Sequence, residues 1–158
     1  MKWEEVVAHP SLRDLPFKIE LNEYGAVVMN PVKPNHSVFQ GEIAYLLRSM
    51  NQSGRVSAEL ALWTRKGTKV TDVAWMTIET WQEIKGKTEA LIAPEVCVEV
   101  LSMSNSDYEI KEKRKLYFEQ GAKEVWICDE YGNLTFFNPK RKLAKSVMFP
   151  EFPKVVKI

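Results

Sequence analysis

The fold is decided by residues 95–129, EVCVEVLSMSNSDYEIKEKRKLYFEQGAKEVWICD, which predict a strand, a helix and a second strand in succession. Residues 95–101 and 125–129 are short and mostly apolar runs, as is typical of strands that are buried on both faces. Between them, residues 107–120 follow the helical period, and Gly121 is a natural C′ residue for the end of a helix. The stretch therefore predicts an α/β fold.

The segments on either side complete the predicted order of elements. We expect a short helix and a turn over residues 1–15, a hairpin over 17–31, a helix over 36–50 capped by Asn35, His36 and Ser37, strands over 56–64 and 69–77, a short helix over 78–85, and a last strand in LTFFN. This order predicts one domain over residues 1–158. It contains a mixed β-sheet flanked by helices, with an α-β-β-β-α-β core and an N-terminal β-hairpin.

The composition predicts a cytoplasmic protein with no membrane partner. Its apolar runs are far shorter than the ~20 residues that span a bilayer, and the N-terminus, MKWEEVVAHP, has no signal-peptide hydrophobic region. The two cysteines, Cys97 and Cys128, lie inside predicted strands and are interpreted as buried, reduced thiols. The presence of only two histidines and no CxxC motif argues against a zinc site.

The charge of the chain is small but unevenly distributed. A net charge of +1 argues against a protein that binds nucleic acid through its overall charge. Residues 111–115 and the tail over 140–157 are nevertheless basic. Such segments are either solvated surfaces or surfaces that contact a phosphate backbone, and the sequence leaves both interpretations open.

Two acidic residues, Asp72 in VTDVAWM and Glu99 in PEVCVEVLS, lie within strongly apolar predicted strands. A buried carboxylate must be paired, bind a metal or be neutralised by a shift of its pKa. If Glu59 on the preceding strand converges with them, the three acids form the oxygen-rich cluster that Mg²⁺ prefers. The alternative for each acid is an edge position or a salt bridge.

Lys113 interrupts the apolar stripe of the helix over 107–120, because it lies three residues from both Ile110 and Leu116. Its side chain either extends past the core to water or directs its ammonium group at the carboxylates, where it would steady a phosphate. Two strand carboxylates and an inward-facing lysine indicate a site for a hard divalent cation and a phosphate. His36 is interpreted as a cap or surface residue rather than a general base, although its position at the start of the helix keeps it near any site.

Several runs of the sequence resemble a known family: TDVAW, APEVCVEVLSMSNS, EKRKLYFEQGAKEVWICDE and HSVFQGEIAYLL. They are similar to the Uma-type putative restriction endonucleases, formerly a domain of unknown function and a branch of the PD-(D/E)XK nuclease superfamily. The resemblance covers the chain from about Lys18 to Phe137 and implies a restriction-endonuclease-like fold. It also implies Mg²⁺- or Mn²⁺-dependent phosphodiester hydrolysis, in which a metal-activated water attacks phosphorus.

The resemblance assigns roles to particular residues. Asp72 matches the metal-binding aspartate, Glu99 matches the acidic member of the E-x-K element, and the Val100 carbonyl matches a further metal ligand. Glu59 matches an additional acid on the preceding strand. Lys113 matches a lysine that this branch carries on the following helix.

The sequence also departs from the family pattern. Leu101 stands where the superfamily carries the lysine of the E-x-K element, and Thr71 and Met103 each replace a proline. The loss of the proline before the aspartate is tolerable, because a proline at that position only shapes the backbone. The missing strand lysine bears directly on catalysis, and Lys113 is its expected replacement.

Two hypotheses about function follow. The first is a Mg²⁺-dependent endonuclease that cleaves nucleic acid, with DNA as the expected substrate. The alternative is a catalytically inactive nuclease-fold module for nucleic-acid binding or assembly, which the near-neutral charge and the missing strand lysine favour. A homodimer formed through the tail or an exposed sheet edge is compatible with either.

Overall fold

The computed structural model describes all residues, 1–158. Its helices and strands are α1 (Trp3–Ala8), β1 (Phe17–Leu21), β2 (Val27–Pro31), α2 (Pro34–Met50), β3 (Arg55–Leu62), β4 (Lys69–Met76), α3 (Ile78–Ile84), β5 (Val96–Val100), α4 (Asp107–Glu119), β6 (Glu124–Cys128), β7 (Leu134–Phe137) and β8 (Lys142–Leu143). The predicted α/β fold, with a mixed sheet, flanking helices and an N-terminal hairpin, is confirmed. None of the helices combines the length with the apolar character that crossing a membrane requires.

The strands form two separate sheets. β1 and β2 pair antiparallel, and the remaining six strands form a sheet in the order β3-β4-β5-β6-β7-β8. β5 and β6 are parallel, and α4 connects them, since parallel neighbours require a crossover. The other neighbours in this sheet are antiparallel. The segment from α2 to β6 therefore has the predicted α-β-β-β-α-β order, with the short helix α3 inserted between β4 and β5.

Apolar side chains cover both faces of the six-stranded sheet. On one face, α2 packs its buried side chains Ile43 and Leu47 against strand residues that include Val98. On the other face, α3 and α4 cover a second cluster, which includes Tyr117 and Cys97. Because side chains alternate along a strand, β5 directs the residues next to Val98 toward α4. One of these residues is Glu99.

Helix α2 begins at Pro34, two residues earlier than predicted. Proline suits this position because its ring fixes φ at a helical value and its missing N–H would be unpaired there anyway. Lys33 is the N-cap residue, and it makes no side-chain capping bond. His36 therefore lies within the first turn of the helix and does not cap it.

The segment that follows β8 returns to the α2 face of the sheet. Phe149 and Phe152 are buried there, with ring centroids 5.8 Å and 4.6 Å from that of Trp126. These aromatic contacts extend the core beyond the last strand. The basic residues of the tail stay on the surface, while its apolar residues anchor it.

The carboxylate of Glu124 fixes the start of this anchored segment. It accepts hydrogen bonds from the Ser146 hydroxyl at 2.6 Å and from the backbone N–H groups of Val147 and Met148 at 2.9 Å each. The indole N–H of Trp126 donates to it at 2.8 Å. Glu124 is only 2% exposed, so no water replaces these bonds if the carboxylate is removed.

We expect Glu124→Ala to lower the free energy of unfolding by about 2–4 kcal/mol, because it leaves buried donors unpaired and creates a cavity. Urea denaturation followed by tryptophan fluorescence measures the change. Glu130 is exposed, and Glu130→Ala should cost less than about 0.5 kcal/mol. Equal losses in the two variants would contradict the role assigned to Glu124.

Candidate active site at the opening between two strands

The sheet opens between β4 and β5 beside the predicted acidic residues. The pairing of these strands includes Val73 with Val98 and ends before Asp72 and Glu99, which would be the next opposed pair. In place of a backbone hydrogen bond between the two strands, Oδ2 of Asp72 accepts a hydrogen bond from the backbone N–H of Val100 at 2.7 Å. The opening thus holds two carboxylates inside the protein, with Asp72 1% and Glu99 2% exposed.

Lys18, on the N-terminal hairpin, lies between these two carboxylates. Its Nζ is 3.1 Å from Oδ1 of Asp72 and 3.1 Å from Oε2 of Glu99. Because both oxygens contact the same nitrogen, their separation cannot exceed twice that distance. The two strand carboxylates therefore occupy one pocket, and an ammonium group bridges them.

Lys113 reaches the same pocket from α4. Its Nζ is 2.8 Å from Oε2 of Glu20 and 3.3 Å from Oε1 of Glu99. The ammonium group is therefore directed at the carboxylates and does not extend past the core to water. Glu20 is itself held by the backbone N–H of Val70, which donates to its Oε2 at 2.7 Å. This bond joins the hairpin to β4 beside the opening.

Two further side chains contact the strand carboxylates. The hydroxyl of Tyr117 donates to Oε1 of Glu99, and Nε2 of His36 lies 3.4 Å from Oδ2 of Asp72. The His36 side chain is 11% exposed, so the prediction that it is a cap or surface residue is wrong. Because α2 begins at Pro34, His36 falls on the turn of the helix that faces the opening.

Glu59, the third predicted acid, does not join the cluster. It is exposed, makes no ion pair, and has a left-handed backbone with φ of 53°. Residues four apart on a regular strand share a face, yet Val56 packs with the α2 core and Leu60 with the α4 core. Glu59, whose backbone is left-handed, lies between them, and the side chains that follow it lie on the opposite face of β3. The expected convergence of Glu59 with Asp72 and Glu99 is therefore not found.

Besides His36, three residues of the pocket were not predicted as site residues: Lys18, Glu20 and Tyr117. In FKIEL, Lys18 and Glu20 alternate with apolar residues, which is the ordinary pattern of a hairpin with one solvated face. Tyr117 belongs to the apolar stripe of α4, where a core position explains it fully. Only the placement of the hairpin over the sheet opening distinguishes these side chains, and the pattern of one strand contains no signal for that placement.

The comparisons with known proteins identify the family and the fold. The model of the family described as Uma2, putative restriction endonuclease, matches residues 3–151. The chain belongs to the Uma2 family. Its fold is similar to the crystal structure of a putative nuclease belonging to DUF820 from Anabaena variabilis ATCC 29413. That likeness has a TM-score of 0.71 at 19% identity and covers 89% of this chain and 81% of that chain. No curated protein matches the chain in sequence.

The pocket of this Uma2 chain has the right donor type for a hard divalent cation. The carboxylates of Asp72 and Glu99 and the carbonyl of Val100 are oxygen ligands, which Mg²⁺ and Mn²⁺ prefer. No three His, Cys, Asp or Glu side chains are arranged to hold a metal ion. The chemistry of the donors thus fits such an ion with two carboxylate ligands at most, and Lys18 lies between those ligands.

The pocket of the Uma2 chain adjoins a larger groove, whose charged lining residues are four glutamates and three lysines. A cavity of about 20 Å³, enough for one water molecule, is lined by residues that include Asp72 and Glu99. It shares Asn30, Asn105 and Lys113 with a groove of about 360 Å³ that lies between the hairpin and α4. The ammonium group of Lys113 thus stands where the groove meets the carboxylates.

The two strand carboxylates of this Uma2 protein differ in acidity. Burial raises the pKa of Glu99 to about 7, although Lys113 and Lys18 oppose the shift. Burial also acts on Asp72, but Lys18 and the hydrogen bond from His36 hold the pKa of its carboxyl well below the ordinary value. The same hydrogen bond raises the pKa of His36. Glu99 therefore titrates near neutral pH while Asp72 stays ionised, and His36 keeps its proton to a higher pH than an ordinary histidine.

These shifts predict that the metal-free protein loses stability as the pH rises from 5 to 8. A pKa that is raised in the folded state contributes stability that is complete below the unfolded pKa and is lost as the pH rises through the folded pKa. Glu99 and His36 share this sign, so the free energy of unfolding should fall by on the order of 2 kcal/mol over that range. Urea denaturation in EDTA at several pH values measures it. An unchanged slope in Glu99→Gln would show that Glu99 does not titrate in this range.

Proposed function

We propose that this protein is a divalent-metal-dependent nuclease of the cytoplasm that hydrolyses phosphodiester bonds of nucleic acid, with DNA as its substrate. The observation that carries the proposal is the convergence of Asp72, Glu99 and Lys113 in one buried pocket beside a groove. Membership of the Uma2 family supports the nuclease activity. The free, buried thiols of Cys97 and Cys128 suit a reducing compartment.

Asp72 and Glu99 would hold Mg²⁺ or Mn²⁺ together with the Val100 carbonyl. Such an ion, when bound, supplies a nucleophile at neutral pH and neutralises charge on the phosphate. The protein fixes both carboxylates in advance, because the Val100 N–H holds Asp72 and the Tyr117 hydroxyl holds Glu99. Preorganised ligands of this kind need little rearrangement during the reaction.

Lys113 would stabilise the negative charge that develops on the phosphate. Glu20 acts as a positioning residue, since its carboxylate contacts the Lys113 ammonium group at 2.8 Å and is anchored by the backbone of β4. Leu101, at the strand position where the superfamily carries lysine, packs against the α4 core. The helix thus supplies an ammonium group that the strand lacks.

We expect Asp72→Asn and Lys113→Met each to reduce cleavage of plasmid or single-stranded DNA in Mg²⁺ or Mn²⁺ at least about 100-fold, because each removes a charge from the reacting site. Gel electrophoresis of timed digests measures the rate. Glu83→Gln, which changes an exposed carboxylate on α3, is the matched control and should cleave normally. Normal cleavage by Lys113→Met would exclude this lysine from catalysis.

A second groove, here called the basic bay, brings together the two basic segments of the sequence. It lies between α4 and the β7–β8 turn, with a volume of about 780 Å³, and its basic residues are Lys111, Arg114, Lys115, Lys140, Arg141 and Lys142. The guanidinium carbon of Arg114 lies 3.7 Å from the centroid of the Phe137 ring. Clustered basic groups beside aromatic rings support contact with a nucleic-acid backbone.

The triple variant Lys111→Gln, Lys140→Gln and Arg141→Gln should weaken duplex DNA binding about tenfold or more at low salt, because each change removes a positive charge that would neutralise a phosphate. The slope of log K against log salt should become shallower by about 0.9 for each phosphate that is no longer neutralised. Fluorescence anisotropy in EDTA, with a labelled duplex, measures both. Lys2→Gln, Lys85→Gln and Lys87→Gln remove the same charge from other surfaces and should have little effect. Equal weakening in both triples would show a nonspecific charge effect.

One observation favours the second candidate, a nuclease-fold module that binds nucleic acid without cleaving it. The ammonium group of Lys18 pairs with both strand carboxylates, so the pocket is electrostatically satisfied by the protein alone. Under this alternative, DNA binds through the basic bay and no divalent cation supports cleavage. The digests of wild-type protein in Mg²⁺ and Mn²⁺ separate the two candidates.

A further inference from the structure

Lys18 occupies the position between the two carboxylates that a bridging cation would take. Its Nζ contacts one oxygen of Asp72 and one of Glu99 at equal distances of 3.1 Å, and its side chain is 9% exposed. Oε2 of Glu20 lies 3.9 Å away on the same strand. A single ammonium group thus faces three carboxylates. It comes from β1, which lies outside the six-stranded sheet.

A divalent ion bound to the same two oxygens could not coexist with this ammonium group. Metal–oxygen bonds are about 2.1 Å long, so the ion would lie within direct repulsive range of the ammonium nitrogen. The charges lead to the same conclusion. With Glu20, Asp72 and Glu99 ionised and His36 neutral, the two lysines leave one negative charge in excess. Adding a divalent ion reverses the sign of this net charge, whereas replacing the Lys18 ammonium group with the ion gives neutrality.

We propose that Lys18 is a built-in competitor of the divalent cation, which binds only when the Lys18 ammonium group leaves the space between Asp72 and Glu99. This inference rests on the proposed metal-dependent function. Lys18 thereby sets how tightly the site holds a cation, and it keeps the carboxylates paired when none is bound. Monovalent cations, which carry the same charge as the ammonium group, gain no electrostatic advantage by replacing it.

The displacement requires movement of a side chain and not of the hairpin. The backbone of β1 is fixed to β4, since the Leu21 N–H donates to the Thr68 carbonyl at 2.8 Å and the Lys69 ammonium group donates to the Leu21 carbonyl at 3.0 Å. The flexible four-carbon stem of lysine allows its ammonium group to move while the strand stays in place. Lys18 and Asn30 both line the cavity of about 20 Å³, where the Asn30 side chain is a polar neighbour of the lysine.

The test compares binding of Mn²⁺ alone to purified wild-type protein and to Lys18→Met by isothermal titration calorimetry. Methionine keeps most of the length of the side chain and removes its charge. We expect the variant to bind Mn²⁺ at least about tenfold more tightly, because the ion no longer displaces an ammonium group. Lys87→Met is the control, since Lys87 is exposed and contacts neither strand carboxylate; its affinity should equal that of wild type.

The outcomes separate this inference from the proposed function. Tighter binding in Lys18→Met supports the inference, most strongly if wild type binds no Mn²⁺ at all. Equal affinities in wild type and Lys18→Met overturn it and leave the metal-dependent function standing. Absence of binding in both proteins overturns both. Should Lys18→Met fail to fold, Lys18→Gln serves the same comparison and retains a hydrogen-bond donor for the carboxylates.

A second measurement uses the unmodified wild-type chain. Reductive methylation followed by peptide mass spectrometry reports how accessible each lysine ammonium group is. We expect Lys18 to be labelled several-fold faster at saturating Mn²⁺ than in EDTA, while Lys66, on the surface, is labelled equally in both. Unchanged labelling of Lys18 at a Mn²⁺ concentration that saturates the calorimetric signal would overturn the inference.

Discussion

Three carboxylates and two ammonium groups are buried together where the sheet opens between β4 and β5, and the site depends on the pairing of these charges. Ionised carboxylates are stable in a core only when they are paired and hydrogen-bonded. Glu20, Asp72 and Glu99 each accept at least two such bonds, and Lys18 and Lys113 each serve two of them. Removing one partner from a buried ion pair costs about 3–5 kcal/mol, so these charges are maintained as a set.

This pairing of charges explains why a hairpin that pairs only with itself is part of the site. β1 contributes Lys18 and Glu20 to the cluster, and no strand of the large sheet supplies an equivalent lysine. Without the hairpin, Asp72 and Glu99 would face each other across the opening with Lys113 as their sole nearby ammonium group. The N-terminal hairpin therefore completes the electrostatics of the pocket, and its bonds to the start of β4 fix it over the opening.

The sequence predicted the α/β order and three members of the pocket because those residues violate their local pattern. Asp72 and Glu99 are charges in apolar strands, and Lys113 is a charge in an apolar stripe. Lys18 conforms to the pattern of an ordinary hairpin, and nothing local distinguishes it from a solvated lysine. Glu59 was predicted to converge with the strand acids because a regular strand was assumed, whereas its left-handed backbone exchanges the faces of β3. Tertiary placement and a single dihedral angle thus account for these differences.

The missing strand lysine takes on a different meaning once the pocket is seen as a set of paired charges. Leu101 lies two residues after Glu99 and packs against the α4 core, so a lysine there would direct a third ammonium group toward the region where two are already present. Lys113 already supplies an ammonium group to Glu99 from α4, so Glu99 has a cationic partner without a strand lysine. Under the proposed function, one ammonium group and a divalent cation compete for the same two oxygens. The cation has twice the charge, while the ammonium group is covalently tethered beside the carboxylates and needs no diffusional encounter.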